Sequence, residues 1–184
     1  AAFFDGTYRI NDRMRFSAGL RISHEEKEFS NALEVGFRAP STGPFDVSDS
    51  ESWTEPSWRI ALDYDLTNDV MGYVSWARGY RSGGFNARAL SEAESVATYD
   101  PETVDTFELG ARMEFANGRI RVNPTLFYTE YQDKQEIVLK SAGGTSAITT
   151  SVVDNASEVE YFGLEVEVDA RISENLTVRA TLGY

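Results

Sequence analysis

This chain lacks the parts of a nucleophilic site. His24 is its single imidazole in 184 residues, and there is no cysteine. No serine- or cysteine-centred motif surrounds that histidine, so a nucleophile with its base cannot be assembled. His24 reads as a solvated residue at the base of a loop, and no catalytic residue is expected. Paired glycines stand at Gly83-Gly84 and Gly143-Gly144. Their backbone N–H groups could cradle an anion, but neither pair follows a strand and opens a helix as a phosphate loop does. Flexible loop glycine is the simpler reading. Acidic residues gather at Glu25, Glu26, Glu28, Asp46, Asp49, Glu51 and Glu55. Calcium takes several oxygens from one site, yet this spacing fits no EF-hand. A solvated acidic loop is expected, with no metal and no cofactor.

The residue types best suited to recognition are Arg78, Tyr80, Arg81, Phe85 and Asn86. They mix cations with aromatics where an extended segment passes into a long polar connection, a combination suited to an anionic aromatic ligand. Trp53, Trp58, Trp76, Tyr128 and Tyr184 read more simply as anchors at a membrane boundary, where amphipathic rings collect. Sequence alone does not separate such a belt from a site.

The elements that must hold these residues are strands. In residues 161–172, Phe162, Leu164, Val166, Val168, Ala170 and Ile172 alternate with Gly163, Glu165, Glu167, Asp169 and Arg171. Period two means one apolar and one charged face. The same beat places Phe107, Leu109, Ala111, Met113 and Phe115 together, then Ile120, Val122, Leu126 and Tyr128, and earlier Met14, Phe16, Ala18, Leu20 and Ile22. Trp58, Ile60, Leu62 and Tyr64 follow it, as do Leu176, Val178, Ala180, Leu182 and Tyr184. Residues 70–80 are apolar or aromatic on both faces. About eight strands are expected. Pro124 falls in one of them on the apolar face and, having no N–H to donate, predicts a bulge.

Short connections carry turn chemistry at Asn11-Asp12, Thr67-Asn68, Asn117-Gly118 and Glu174-Asn175. Asn-Gly supplies the positive φ angles of a tight hairpin. Long polar stretches, roughly residues 24–55, 81–101 and 133–155, alternate with them. All short turns then fall on one edge of the sheet and all long loops on the other. Opposite the apolar face, Arg15, Arg21, Arg59, Arg112, Arg121, Arg171 and Arg179 lie among Asp63, Glu108, Glu114, Glu165, Glu167 and Asp169. Compensating charges lining a wet interior explain them most simply, with a substrate path as the alternative.

The fold expectation is therefore all-β: an antiparallel up-and-down transmembrane β-barrel segment of about eight strands, with short periplasmic turns and long extracellular loops. No apolar run approaches 18 residues and mean hydropathy is −0.37, which excludes a spanning helix but not strands that need only every second residue apolar. The net charge of −13 argues against a nucleic-acid partner. A complete eight-stranded outer-membrane barrel with a structural or adhesive role, and a soluble β-sandwich binding module, are the alternatives.

Several phrases resemble the β-barrel half of TonB-dependent outer-membrane receptors. They are Ser75-Trp76-Ala77-Arg78-Gly79-Tyr80-Arg81-Ser82-Gly83-Gly84-Phe85-Asn86, Tyr99-Asp100-Pro101-Glu102 leading to Phe107-Glu108-Leu109-Gly110, Phe127-Tyr128-Thr129-Glu130-Tyr131-Gln132-Asp133, and Asn155-Ala156 before Gly163-Leu164-Glu165-Val166-Glu167. The resemblance implies a barrel of about 22 strands around an N-terminal plug. It also implies import of a ferric siderophore or similar small chelate across the Gram-negative outer membrane, driven through TonB. Ala1-Ala2-Phe3-Phe4-Asp5 already reads as strand and the alternation still runs at Tyr184. Residues 1–184 are therefore expected to be part of the barrel domain, with the plug, the TonB box and the barrel C-terminus outside them. The implied partners are outer-membrane lipid, the chelate, and TonB through the plug.

Overall fold

The computed structural model describes residues 1–34, 44–88, 92–141 and 149–184. Gly143-Gly144 lie outside them. Ten strands and one short helix follow in order: β1 (Ala2–Asn11), β2 (Met14–Leu33), β3 (Phe45–Asp65), β4 (Val70–Arg81), β5 (Gly84–Phe85), α1 (Glu92–Val96), β6 (Thr98–Tyr99), β7 (Glu102–Phe115), β8 (Ile120–Ser141), β9 (Thr149–Ser173) and β10 (Leu176–Gly183). Eight form one antiparallel sheet in the order β1-β2-β3-β4-β7-β8-β9-β10, and β5 pairs with β6 separately.

Each wall strand pairs with the next wall strand in the chain, and short turns join β1 to β2, β3 to β4, β7 to β8 and β9 to β10. Ala116, Asn117 and Gly118 all take positive φ in the β7–β8 turn, where glycine and asparagine carry the least strain. Register keeps one phase across the wall. Phe16 opposes Leu62, Leu62 opposes Val74, Val74 opposes Leu109, Leu109 opposes Leu126, and Leu126 opposes Leu164. A row above runs Ile60, Trp76, Phe107, Tyr128, Phe162. Directly opposed residues share a face, so the apolar halves of all strands merge into one band.

Nothing covers that band. Phe4 is 69%, Leu109 56% and Phe162 73% exposed, while Ala61 and Val152 are the only buried apolar side chains among the described residues. A soluble sandwich would bury this face against a second sheet, so that alternative fails. The small closed barrel fails as well, because β1 and β10 end the ladder without pairing.

The other face holds the charges. Arg15 lies 2.7 Å from Asp65 and 3.7 Å from Asp63, Arg121 2.9 Å from Glu114, and Arg179 2.9 Å from Asp169. The compensating wall expected from sequence is thus realised at these positions.

Three expectations about local structure are corrected. Residues 24–55 and 133–155 are largely strand, since β2 and β3 pair from Met14↔Tyr64 to Leu33↔Phe45 and β8 with β9 as far as Ser141↔Thr149. Their polar composition reflects a hairpin wet on both faces above the apolar band, a pattern that resembles loop in sequence. Pro124 makes no bulge: the β7–β8 register is the same at Gly110↔Thr125 and Met113↔Val122, and Pro124 opposes Val166 on β9. The intervening residues of β7 and β8 are unpaired with each other, so the missing donor falls where no ladder bond is made. The β8–β9 ladder is irregular instead between Tyr131 and Gln135, with an extra residue in β8 before Lys134, where Asp133 takes φ 53°, and one in β9 between Ser157 and Asn155.

Candidate ligand-recognition site

Strand length builds the site. β4 and β7 stop at Arg81 and Glu102, whereas the β2–β3 and β8–β9 hairpins continue past them. Residues 23–33 alone give about 35 Å of strand at roughly 3.3 Å each. Two arms therefore flank a lower saddle, and the β4–β7 connection sits between them.

The described parts of this connection, 82–88 and 92–101, are fixed to both arms. On the β2–β3 side, Phe85 stacks on Phe29 with ring centres 5.1 Å apart and meets Trp53 edge-on at 6.5 Å. Lys27 donates to the Gly83 carbonyl at 2.5 Å and lies 5.5 Å from the Trp53 ring centre, while Asn31 donates to Ser95 at 3.0 Å. On the β8–β9 side, Asn86 exchanges two bonds with the backbone of Val153, at 2.7 and 3.1 Å. Thr150 donates to the Arg88 carbonyl at 2.5 Å.

Gly83 and Gly84 are buried packing residues, which corrects the flexible-loop reading. A Cβ on Gly83 would stand 2.7 Å from Trp53 and collide with the Tyr99 carbonyl; on Gly84 it would stand 2.5 Å from the Tyr99 hydroxyl.

Between this connection and β2 opens a concavity of about 570 Å³, lined by Arg21, Ser23, Glu25, Lys27, Ser57, Gly79, Tyr80, Arg81, Ser82 and Tyr99. Three cations face one carboxylate there, in a chain of net charge −13. Tyr80 donates its hydroxyl to Glu25 at 2.9 Å. The Ser82 and Tyr80 hydroxyls beside it hold the Glu25 carboxyl below the usual carboxylate range. Serine and tyrosine hydroxyls with Arg and Lys give this surface hydrogen-bond donors and positive charge suited to an anion, and rings suited to stacking.

The five residues singled out in sequence do not converge. Tyr80 and Arg81 line the concavity. Phe85 and Asn86 tie the connection to the two arms. Arg78 belongs to the apolar phase with Trp76: its Nε donates to both Asp105 oxygens, at 2.9 and 3.0 Å, and its guanidinium lies 4.7 Å over Trp58. Trp58, Trp76, Phe107 and Tyr128 form a continuous ring contact chain beside it, the belt expected for three of them. Trp53 is not in that belt, because it packs on Phe85 and Lys27. His24 is in β2, not at a loop base, with Nδ1 2.9 Å from the Thr54 hydroxyl. The acidic residues of the β2–β3 arm sit on paired strands, and no metal-type cluster occurs among the described residues.

Of the other cations lining the concavity, Lys27 was not singled out in sequence and Arg21 only as one of the charged-wall arginines with a substrate path as the alternative. Their signal was available: each shares the odd phase of β2 with Ser23 and Glu25, on the face opposite Leu20 and Ile22.

Residues 1–184 match the family model for the TonB dependent receptor-like β-barrel. The chain is 23% identical over 174 residues to the pesticin receptor of Yersinia pestis, covering 94% of this chain and 24% of that protein. It thus spans about a quarter of the length of that relative. Its fold matches the crystal structure of the ferric yersiniabactin uptake receptor FyuA from Yersinia pestis at TM-score 0.72 and 21% identity, over 99% of this chain and 26% of that one. It matches the copper transporter OprC at TM-score 0.73 and 17% identity, over 99% and 28%.

Proposed function

The chain belongs to the TonB-dependent receptor β-barrel family, and from that premise we propose that it forms one arc of an outer-membrane barrel importing a small anionic chelate. A ferric siderophore or a similar metal chelate is the ligand class. The observation that carries this reading is the concavity between the connection and β2, where Arg21, Lys27 and Arg81 meet Tyr80 and Tyr99 above the apolar band. Its volume of about 570 Å³ falls within the range of small-ligand sites.

The physical logic separates the two faces. The bare apolar band meets lipid, where backbone groups must all be paired in a ladder. The charged face meets water inside the barrel. Tyr80 and Arg81 contact ligand together with Arg21 and Lys27, while Arg78, Phe85 and Asn86 hold the wall and the connection in place. The remaining strands, the plug and the TonB contact belong to the rest of the receptor, in the outer membrane of a Gram-negative bacterium.

The test uses the full-length receptor in a receptor-deleted strain, scored for uptake of radio-iron as ferric tris-catecholate and ferric tris-hydroxamate. Arg81→Ala and Lys27→Ala together should cut uptake of the accepted chelate at least tenfold with surface abundance unchanged. Full uptake of every accepted chelate by that variant would refute the reading.

A further inference from the structure

All four of the sequence phrases meet at one point beside the concavity, and two of them, those holding Asp133 and Asn155, do not line it. Gln135 on β8 and Asn155 on β9 are direct cross-strand partners on the charged face. Gln135 is buried, and its Nε2 lies 3.0 Å from the Ser82 carbonyl and 3.1 Å from the Asp100 carbonyl, with that of Arg81 at 3.5 Å. An amide nitrogen has two hydrogens, so Ser82 and Asp100 take them. Ser82 leaves β4 and Asp100 returns toward β7, so a single side chain ties both ends of the connection.

Asn155 completes the clasp. Its Nδ2 donates to the Asp100 and Asp133 carbonyls at 2.9 and 2.7 Å, and its Oδ1 accepts the Asp100 N–H at 2.7 Å. The backbone N–H of Gln135 donates to Glu102 at 2.7 Å. That bond lies just beyond the β7–β8 ladder, which stops at Thr103↔Gln132 where β7 begins.

We infer that Gln135 and Asn155 are positioning residues for recognition: they touch no ligand but fix the segment that presents Tyr80, Arg81 and Tyr99 to the concavity. The inference rests on the concavity being the ligand site. Three carbonyls, those of Ser82, Asp100 and Asp133, and the Asp100 N–H are held by two amides; Ser82 is buried, and its carbonyl loses its Gln135 donor when that amide is removed. The two ends of the connection would then part, and the cation and rings would no longer share one surface.

The experiment takes the full-length receptor in detergent, its barrel verified by heat-modifiable migration. Two quantities are read: the rate of tryptic nicking after Arg81 and Arg88, and the affinity for gallium tris-catecholate or gallium tris-hydroxamate, whichever the receptor binds. Gln135→Met keeps length and volume without donors. It should raise nicking at least fivefold and weaken the chelate about tenfold. Asn155→Asp keeps the acceptor for the Asp100 N–H and should fall between Gln135→Met and wild type. If Gln135→Met is nicked at the wild-type rate, the clasp is refuted. If nicking rises while affinity holds, and Arg81→Ala still weakens binding, the positioning role is refuted. If Arg81→Ala leaves affinity unchanged, the concavity reading fails, and with it the recognition half of the inference, whatever the nicking rate.

Discussion

Removing the Asp105 carboxylate should destabilise the wall more than any other single polar change on the apolar face. Asp105 is 5% exposed and accepts the Trp76 indole N–H at 2.8 Å together with the bidentate Arg78 fork. Breaking a fully buried charge pair from one side costs about 3–5 kcal/mol. Here the Arg78 side chain keeps 29% of its exposure, and an unpaired Arg near the membrane boundary costs only about 0–1 kcal/mol. The expected loss for Asp105→Ala is therefore about 3 kcal/mol. Asp105→Asn retains an acceptor for Trp76, a bond of about 1 kcal/mol, so it should lose about 2 kcal/mol. Once Asp105 is Asn, Arg78→Met should cost little more, giving a coupling energy near 2 kcal/mol in the double-mutant cycle. The assay is urea unfolding of the full-length receptor in vesicles, followed by tryptophan fluorescence. A loss below about 0.5 kcal/mol for Asp105→Ala, or additive singles, would show that the ion pair contributes nothing against its own desolvation.

Two further outcomes follow from local geometry. Gly110→Ala places a Cβ 2.5 Å from the Tyr73 ring, whose hydroxyl lies 3.0 Å from that of Thr125. The ring must lift, so the same urea assay should show a loss of about 1–3 kcal/mol, largely removed when Tyr73→Ala is added. For Glu25, the carboxyl is held below its ordinary value of about 4.3. A depressed carboxylate contributes a stabilisation that is present above the ordinary value and is lost as pH falls through the lowered one. Hydrogen exchange at residues 80–84, corrected for intrinsic rate, should therefore step up only below about pH 4.3. Glu25→Gln should abolish that step, and a step at or above the ordinary value would contradict the hydroxyl contacts.

The wall was legible because period two and turn chemistry survive any change of tertiary context. Phe107, Leu109 and Met113 share a face in the sequence and in the structure. The arms were not legible. Above the apolar band both faces of a strand are wet, so residues 24–33 lose the alternation that marks a strand, and Glu25, Glu26 and Glu28 read as loop. Their strand character comes from the partner, since β2 and β3 are paired without interruption. Trp53 was misplaced for a related reason. Aromatics at a membrane boundary and aromatics under a folded connection have the same composition, and only phase tells them apart: Trp53 opposes Glu25 on the wet face, while Trp58 opposes Leu20 on the apolar one.

Phase also explains why the recognition cluster came apart. Arg78 and Arg81 are three residues apart on one strand, so the pleat sends them to opposite faces. Arg78 stands with Trp76 over Trp58, and Arg81 with Gly79 at the concavity. Tyr80 shares the phase of Arg78 and should have gone with it, yet its hydroxyl bonds to Glu25 on the other side. The β3–β4 ladder ends at Trp58↔Arg78, so Tyr80 has no cross-strand neighbour on β3 to hold it to that face. It is free to turn toward β2 at the first position where the wall opens. The turn thus comes two residues beyond the last pair of the β3–β4 ladder, and pairing length, more than residue type, decides which aromatic stays on the apolar face and which turns to the concavity.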